Sequence, residues 1–207
     1  MQVRKCSSTS PFGHVYGADV SNGQILWKVS HGQSSDPGMS RWDLIKCVTP
    51  VFIDGMVYVT GGYDTGGMMV KIADDGKNAS VVWTDLVLDV HHGGVVVIDG
   101  YIYGSNWINN GMGNWCCIEW KTGKKMWEEK WNCKGSIIAA EGMLYIYDEK
   151  NGMVGLLKAN PAKFDLVSSF KVTEGKPGPF WAHPVIKDGI LYIRHTNALL
   201  AYDIKIH

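Results

Sequence analysis

The chain has 207 residues, 45% of them hydrophobic, and 20 Lys plus Arg balance 20 Asp plus Glu for a formal net charge of zero. That balance excludes a basic field for nucleic acid or an anionic membrane, and apolar runs of only a few residues exclude a membrane-spanning helix. Five cysteines at scattered spacing, none in a CxxC pair, argue against a zinc finger or a thioredoxin-like motif.

In chain order, residues 14–20 and 25–30 read as two short strands around the turn Ser21-Asn22-Gly23-Gln24, the second carrying Trp27. An insertion containing Trp42 follows over 31–43. Strands are next expected at 49–53 and 56–60, joined by Asp54-Gly55, with a glycine-hinged loop through Tyr63 leading to a third strand at 69–73 and a fourth at Val81-Val82-Trp83. The same order returns as 94–98, Asp99-Gly100, 101–105, 116–120 and Lys125-Met126-Trp127. It returns again as 136–140, Glu141-Gly142, 143–147, 154–158 and Ser169-Phe170. A last copy supplies 184–187, Asp188-Gly189, 190–194 and 199–203.

An acidic-Gly-x-x-Tyr phrase therefore occurs four times, with Tyr58, Tyr103, Tyr145 and Tyr192 spaced 45, 42 and 47 residues apart. Acidic-Gly between two apolar runs is a hairpin signal, because glycine takes φ > 0 without steric cost. No window holds a 3.6-residue apolar period, so no long helix is expected. Four short antiparallel strands in each unit of this length are the pattern of a β-propeller blade. The expected fold is an all-β propeller of four-stranded antiparallel blades, about four of them in this chain. A partial blade would occupy 14–30, whole blades 46–89, 90–132 and 133–174, and a last blade without its outer strand 180–205. That strand count leaves a ring either closed on itself, with residues 25–30 as the missing last strand, or, the favoured reading, open and completed by more blades, by a partner, or by a second copy in a homodimer.

Asp-Gly-x-x-Tyr followed by a strand and by Thr122-Gly123-x-x-x-Trp127 resembles the repeat of the pyrroloquinoline-quinone (PQQ) type β-propellers. The phrases His91-His92-Gly93-Gly94-Val95, Lys134-Gly135-Ser136 and Trp181-Ala182-His183-Pro184-Val185 are similar to a subgroup of bacterial repeat proteins related to polyvinyl-alcohol dehydrogenases and to the lipoprotein of outer-membrane protein assembly. The resemblance covers roughly residues 14–205. It implies a larger ring, commonly of eight blades, and a secreted, periplasmic or cell-envelope location in a bacterium. It also implies two kinds of function: a non-catalytic binding or scaffolding module, or a PQQ-dependent alcohol dehydrogenase that holds the quinone with calcium.

In propellers of this type the first strand of each blade lines the central channel. Stacking the repeats places Cys47, His92, Lys134 and Trp181 eight residues before each hairpin glycine, and Thr49, Gly94, Ser136 and His183 six before. Residues two apart on a strand face the same way, so Cys47, Thr49, His92, Lys134, Ser136, Trp181 and His183 are candidate ligand contacts at the channel mouth. The loops on that face add Tyr63, Trp107, Asn109 and Trp115, aromatic plates beside amides that suit a protein partner, a peptide or a glycan. Strand alternation would let only one of His91 and His92 face the channel, so no metal site is expected. The same alternation puts the thiols of Cys116 and Cys117 on opposite faces, against the adjacent-cysteine clamp of catalytic quinoproteins. No Gly-rich phosphate loop, GxSxG or HExxH occurs. No catalytic residue and no cofactor is assigned, and the binding module is the favoured reading over the dehydrogenase.

Overall fold

The computed structural model describes residues 5–10, 13–32 and 46–205. Trp42 lies outside them. Eighteen strands in five antiparallel sheets make up the fold, with no helix among the described residues.

The four acidic-Gly phrases build four identical hairpins. Asp54 and Gly55 have φ of 49° and 78°, Asp99 and Gly100 49° and 80°, Glu141 and Gly142 53° and 72°, and Asp188 and Gly189 53° and 74°. Two consecutive left-handed residues make a type I′ turn, whose twist matches the right-handed twist of the strands it joins. An added Cβ at Gly100 or Gly142 would meet nothing within 4 Å, so glycine serves the backbone angle there and not the packing.

Each turn joins a first strand to a second, and the sheets then continue outward in chain order. The second sheet comprises β4 (Val51–Ile53), β5 (Met56–Gly61), β6 (Gly66–Ile72) and β7 (Ala79–Asp85). The third comprises β8 (Val95–Ile98), β9 (Tyr101–Ser105), β10 (Trp115–Glu119) and β11 (Lys125–Glu129). The fourth comprises β12 (Gly135–Ala140), β13 (Met143–Asp148), β14 (Met153–Lys158) and β15 (Asp165–Lys171). The fifth has three strands, β16 (Val185–Lys187), β17 (Ile190–His195) and β18 (Ala198–Asp203).

The first sheet also has three strands, β1 (Lys5–Ser10), β2 (His14–Asp19) and β3 (Ile25–Ser30). Here the sequence reading fell short, because it placed only two strands in this sheet. β1 pairs with β2 from Lys5↔Asp19 to Ser10↔His14. Its sequence, Lys-Cys-Ser-Ser-Thr-Ser, has no apolar alternation and no acidic-Gly turn beside it, so the usual signals are missing.

Packing between sheets follows from strand alternation. On β5, Val57 and Val59 enter a core with Val15 and Trp27 of the first sheet, while Tyr58 enters a core with Ile102 of the third. On β9, Ile102 points back and Tyr103 points forward to Ile137, Leu144 and Ile146 of the fourth. On β13, Leu144 and Ile146 point back, and Tyr147 packs with Leu191 and Ile193 of the fifth. The repeated tyrosine is thus the buried forward-facing knob of the second and third sheets, and in the fourth the repeated Tyr145 packs, partly buried, on the same core as Tyr147. Trp27, Trp83 and Trp127 recur in three of these cores. Third and fourth strands slip register once in each of the first four sheets, at Gly17/Ala18, Met69/Val70, Cys117/Ile118 and Leu156/Leu157. A bulge of this kind steepens local twist. Cys116 and Cys117 are both buried free thiols, in the second–third and third–fourth cores respectively. Burial pushes both thiols up, Cys117 to about 12.

Candidate functional site

The segments entering the first strands and those joining second to third strands meet on one face. From the second, third and fifth sheets they bring five rings into a continuous row. Trp107 packs on Tyr63 with centroids 5.0 Å apart, Tyr63 on His91 at 5.0 Å, His91 on His92 at 4.8 Å, and His92 on Trp181 at 5.6 Å. The Tyr63 hydroxyl and His91 Nε2 are 2.9 Å apart. Tyr63 has φ of 65°, a left-handed angle that turns its ring out of the strand. Gly62 makes room for His91, since a Cβ there would come within 3.0 Å of the His91 Cα.

Beneath the rings lies a buried ionic group. Glu149 sits just after β13, with Oε1 2.5 Å from Lys134 Nζ and Oε2 2.8 Å from His92 Nε2. Lys134 is 2% exposed and also donates to the Asn109 carbonyl at 3.0 Å. Burial alone would raise the Glu149 carboxyl, but contacts with His92 and Lys134 outweigh it and hold the group below its ordinary value. His91 is held below the usual histidine range, by burial first and then by the charges of His92 and Lys134. The Tyr63 hydroxyl is raised by burial and, second, by the neighbouring Cys47 thiol.

The 106–114 loop that presents Trp107 is pinned at several points. Asn106 Oδ1 accepts from the Asn114 N–H at 2.7 Å, and both side-chain amides donate to Glu128 Oε1 at 2.9 Å. The Trp107 N–H donates to the Asp89 carbonyl at 2.7 Å. Asp89 in turn accepts the Gly66 and Asp64 N–H groups at 2.7 and 2.8 Å, and burial raises its carboxyl to about 6.

The stacked register converges His92, Trp181 and His183, the last with Nε2 3.0 Å from the His92 carbonyl. Other candidates are placed differently. Lys134 and Ser136 are buried, at 2% and 1% exposure, so they support the face from below. Cys47 and Thr49 are exposed on it. Asn109 is exposed, and its carbonyl anchors Lys134. Trp115 is a correction: it starts β10, is 1% exposed in the third–fourth core and donates its indole N–H to the Trp131 carbonyl, so it is closed to a ligand. The alternation argument for His91 and His92 also fails, because both precede β8 in a bend and their rings lie together. Glu149 was missed. It stands seven residues after its hairpin glycine, where Trp107 stands in the preceding repeat, so the same stacking would have found it.

The fold and its site define a PQQ-type β-propeller repeat protein. The profile of the family described as outer membrane protein assembly factor BamB matches residues 11–163, and the chain belongs to that family. No curated protein matches by sequence. Among solved structures, BamB of Moraxella catarrhalis is similar with a TM-score of 0.65 at 15% identity, over 92% of this chain and 52% of that one. Quinohemoprotein alcohol dehydrogenases of Pseudomonas putida (TM-score 0.66, 17% identity) and Comamonas testosteroni (0.62, 13%) are similar over 95% and 90% of this chain and 38% of each of theirs. The chain therefore spans about half or less of these relatives.

The wider family implies PQQ with calcium, and the residues present do not fit it. Cys116 and Cys117 lie in separate cores and cannot clamp a quinone together. The one group of three metal-competent side chains among the described residues is His91, His92 and Glu149. Two imidazoles and one carboxylate are unlike the six to eight oxygens that calcium takes.

Proposed function

We propose that the chain is a binding or scaffolding module of a bacterial cell-envelope protein, and that the row Trp107–Tyr63–His91–His92–Trp181 grips a protein segment. The carrying observation is that row: five rings in unbroken contact, ending on a Trp181 that is 57% exposed. Ile108 and Met112 extend it as exposed apolar side chains on the pinned loop. Exposed aromatics on an ordered support bind at low entropic cost, which is how interface hot spots work. The assembly role printed for the family supports the same reading. The amides of Asn109 and Asn110 beside Trp107 also suit a sugar ring, which a glycan array distinguishes from a protein segment.

A photo-crosslinking residue at position 181, compared with one at the exposed Ser168 of β15, tests the proposal in cells. Discrete protein adducts from 181 alone are expected. Trp107→Ala, combined with the probe at 181, should keep the fold and abolish those captured partners. Equal adduct patterns from 181 and 168 would overturn the reading.

A further inference from the structure

We propose that His91, His92 and Glu149 form a binding site for a first-row transition-metal dication, with Zn2+ as the representative ion. One donor atom from each lies within 4.8 Å of the others. They come from two sheets: the bend before β8 supplies the histidines, and the turn after β13 the carboxylate. Tetrahedral Zn2+ with Zn–N of about 2.1 Å separates its donors by roughly 3.4 Å. Side-chain rotations would bring the set to that size, the wider separations closing from at most 4.8 Å and the His92 Nε2–Glu149 Oε2 pair opening from 2.8 Å.

Unused bonding capacity points the same way. His91 Nδ1 is buried with no hydrogen-bond partner among the described residues, and His92 Nε2 meets only the Glu149 carboxylate. A buried polar atom left unpaired is unfavourable, and a cation seated between His91 Nδ1 and the His92–Glu149 pair would satisfy it. The outer contacts suit a metal site as well. The Tyr63 hydroxyl holds His91 Nε2, and Lys134 holds Glu149 Oε1 while leaving Oε2 toward the histidines. Such partners fix ring orientation and carboxylate direction around a metal. The Lys134 charge opposes a cation, so reversible binding is expected in place of a permanent structural ion. Imidazole nitrogen selects zinc and its neighbours over calcium or magnesium. Three protein ligands leave a coordination position open on the aromatic face.

Calorimetric titration of the folded chain with ZnCl2, and the absorption spectrum of its Co2+ form, test the proposal. One saturable site per chain is expected, with Co2+ bands free of a thiolate charge-transfer band, and Cys47→Ser should leave it unchanged. Losing an outer partner of a metal typically costs about 10–100-fold in affinity, so His91→Ala and His92→Ala should each lose at least about tenfold. Glu149→Gln should do the same. If that variant fails to fold because Lys134 is stranded, the two histidine variants decide, since their partly buried rings stand in a bend outside the inter-sheet cores and can be removed with the fold kept. Absence of saturable binding, a thiolate band, or undiminished affinity in both histidine variants would overturn the site.

Discussion

Tyr58 and Tyr63 stand five residues apart and belong to different regions of the molecule. Tyr58 is wholly buried between the second and third sheets, and its hydroxyl donates to Asp85 Oδ2 at 3.0 Å. Tyr63 is half-buried on the loop face against His91 and Trp107. The first position is repeated in every later copy, at Tyr103, Tyr145 and Tyr192; the second becomes Ile108, Lys150 and Asn197. The inter-sheet cores are thus built from residues that recur, and the candidate site from residues that do not. In a repeat protein, chemistry is to be sought where equivalent positions diverge.

That contrast can be broken by mutation. Tyr103→Ala removes a fully buried ring from the third–fourth core and should cost about 3–5 kcal/mol in urea unfolding. If it costs less than Trp181→Ala, the division between core and face is wrong.

A second test uses acid. His31 is 4% exposed, and its Nε2 donates to the Gly66 carbonyl at 3.2 Å, tying the first sheet to the second. Burial, and then the Lys46 charge, lower its pKa from 6.5 to about 4. A histidine with a depressed folded pKa contributes stability that is present above 6.5 and lost as pH falls toward about 4. The loss is about 3 kcal/mol. Asp89, on the N–H side of the same Gly66, runs the other way. Its carboxyl is raised from 3.8 to about 6, so its contribution is present below 3.8 and lost as pH rises through about 6. The wild-type profile sums the two. His31→Gln, which keeps a donor without titrating, should make stability rise on acidification between pH 6.5 and 4, followed by urea midpoints.

Smaller effects sharpen the picture. Gly100→Ala should cost about 1–2 kcal/mol although nothing crowds the site, because φ is 80° there. Glu141→Asn should raise the melting temperature slightly, gaining about 0.5 kcal/mol, since asparagine suits the first central position of a type I′ turn better. Trp181→Ala should change stability by no more than about 0.5 kcal/mol, as expected for an exposed side chain.

The turns and the strand order were legible in the sequence because each rests on a local rule repeated four times. β1 was not, since six polar residues acquire strand geometry only by pairing with β2. On the loop face, stacking anticipated that His92, Trp181 and His183 lie together, which depends on register alone. The loop assignment of Trp115 and the alternation argument for His91 failed, and Glu149 was not assigned, because their placement depends on where a strand stops and a bend begins. A one-residue uncertainty in that boundary turns a side chain to the opposite face.

The two ends of the sheets differ in what lengths they accept. At the hairpin end all four turns hold two residues, and one more would shift every downstream side chain to the wrong face. At the other end the links between second and third strands cover 62–65, 106–114, 149–152 and 196–197. Insertions and grafted peptides should therefore be tolerated near 109–112 and rejected at Asp99-Gly100. The molecule can acquire new specificities from one side only, without its framework being rebuilt.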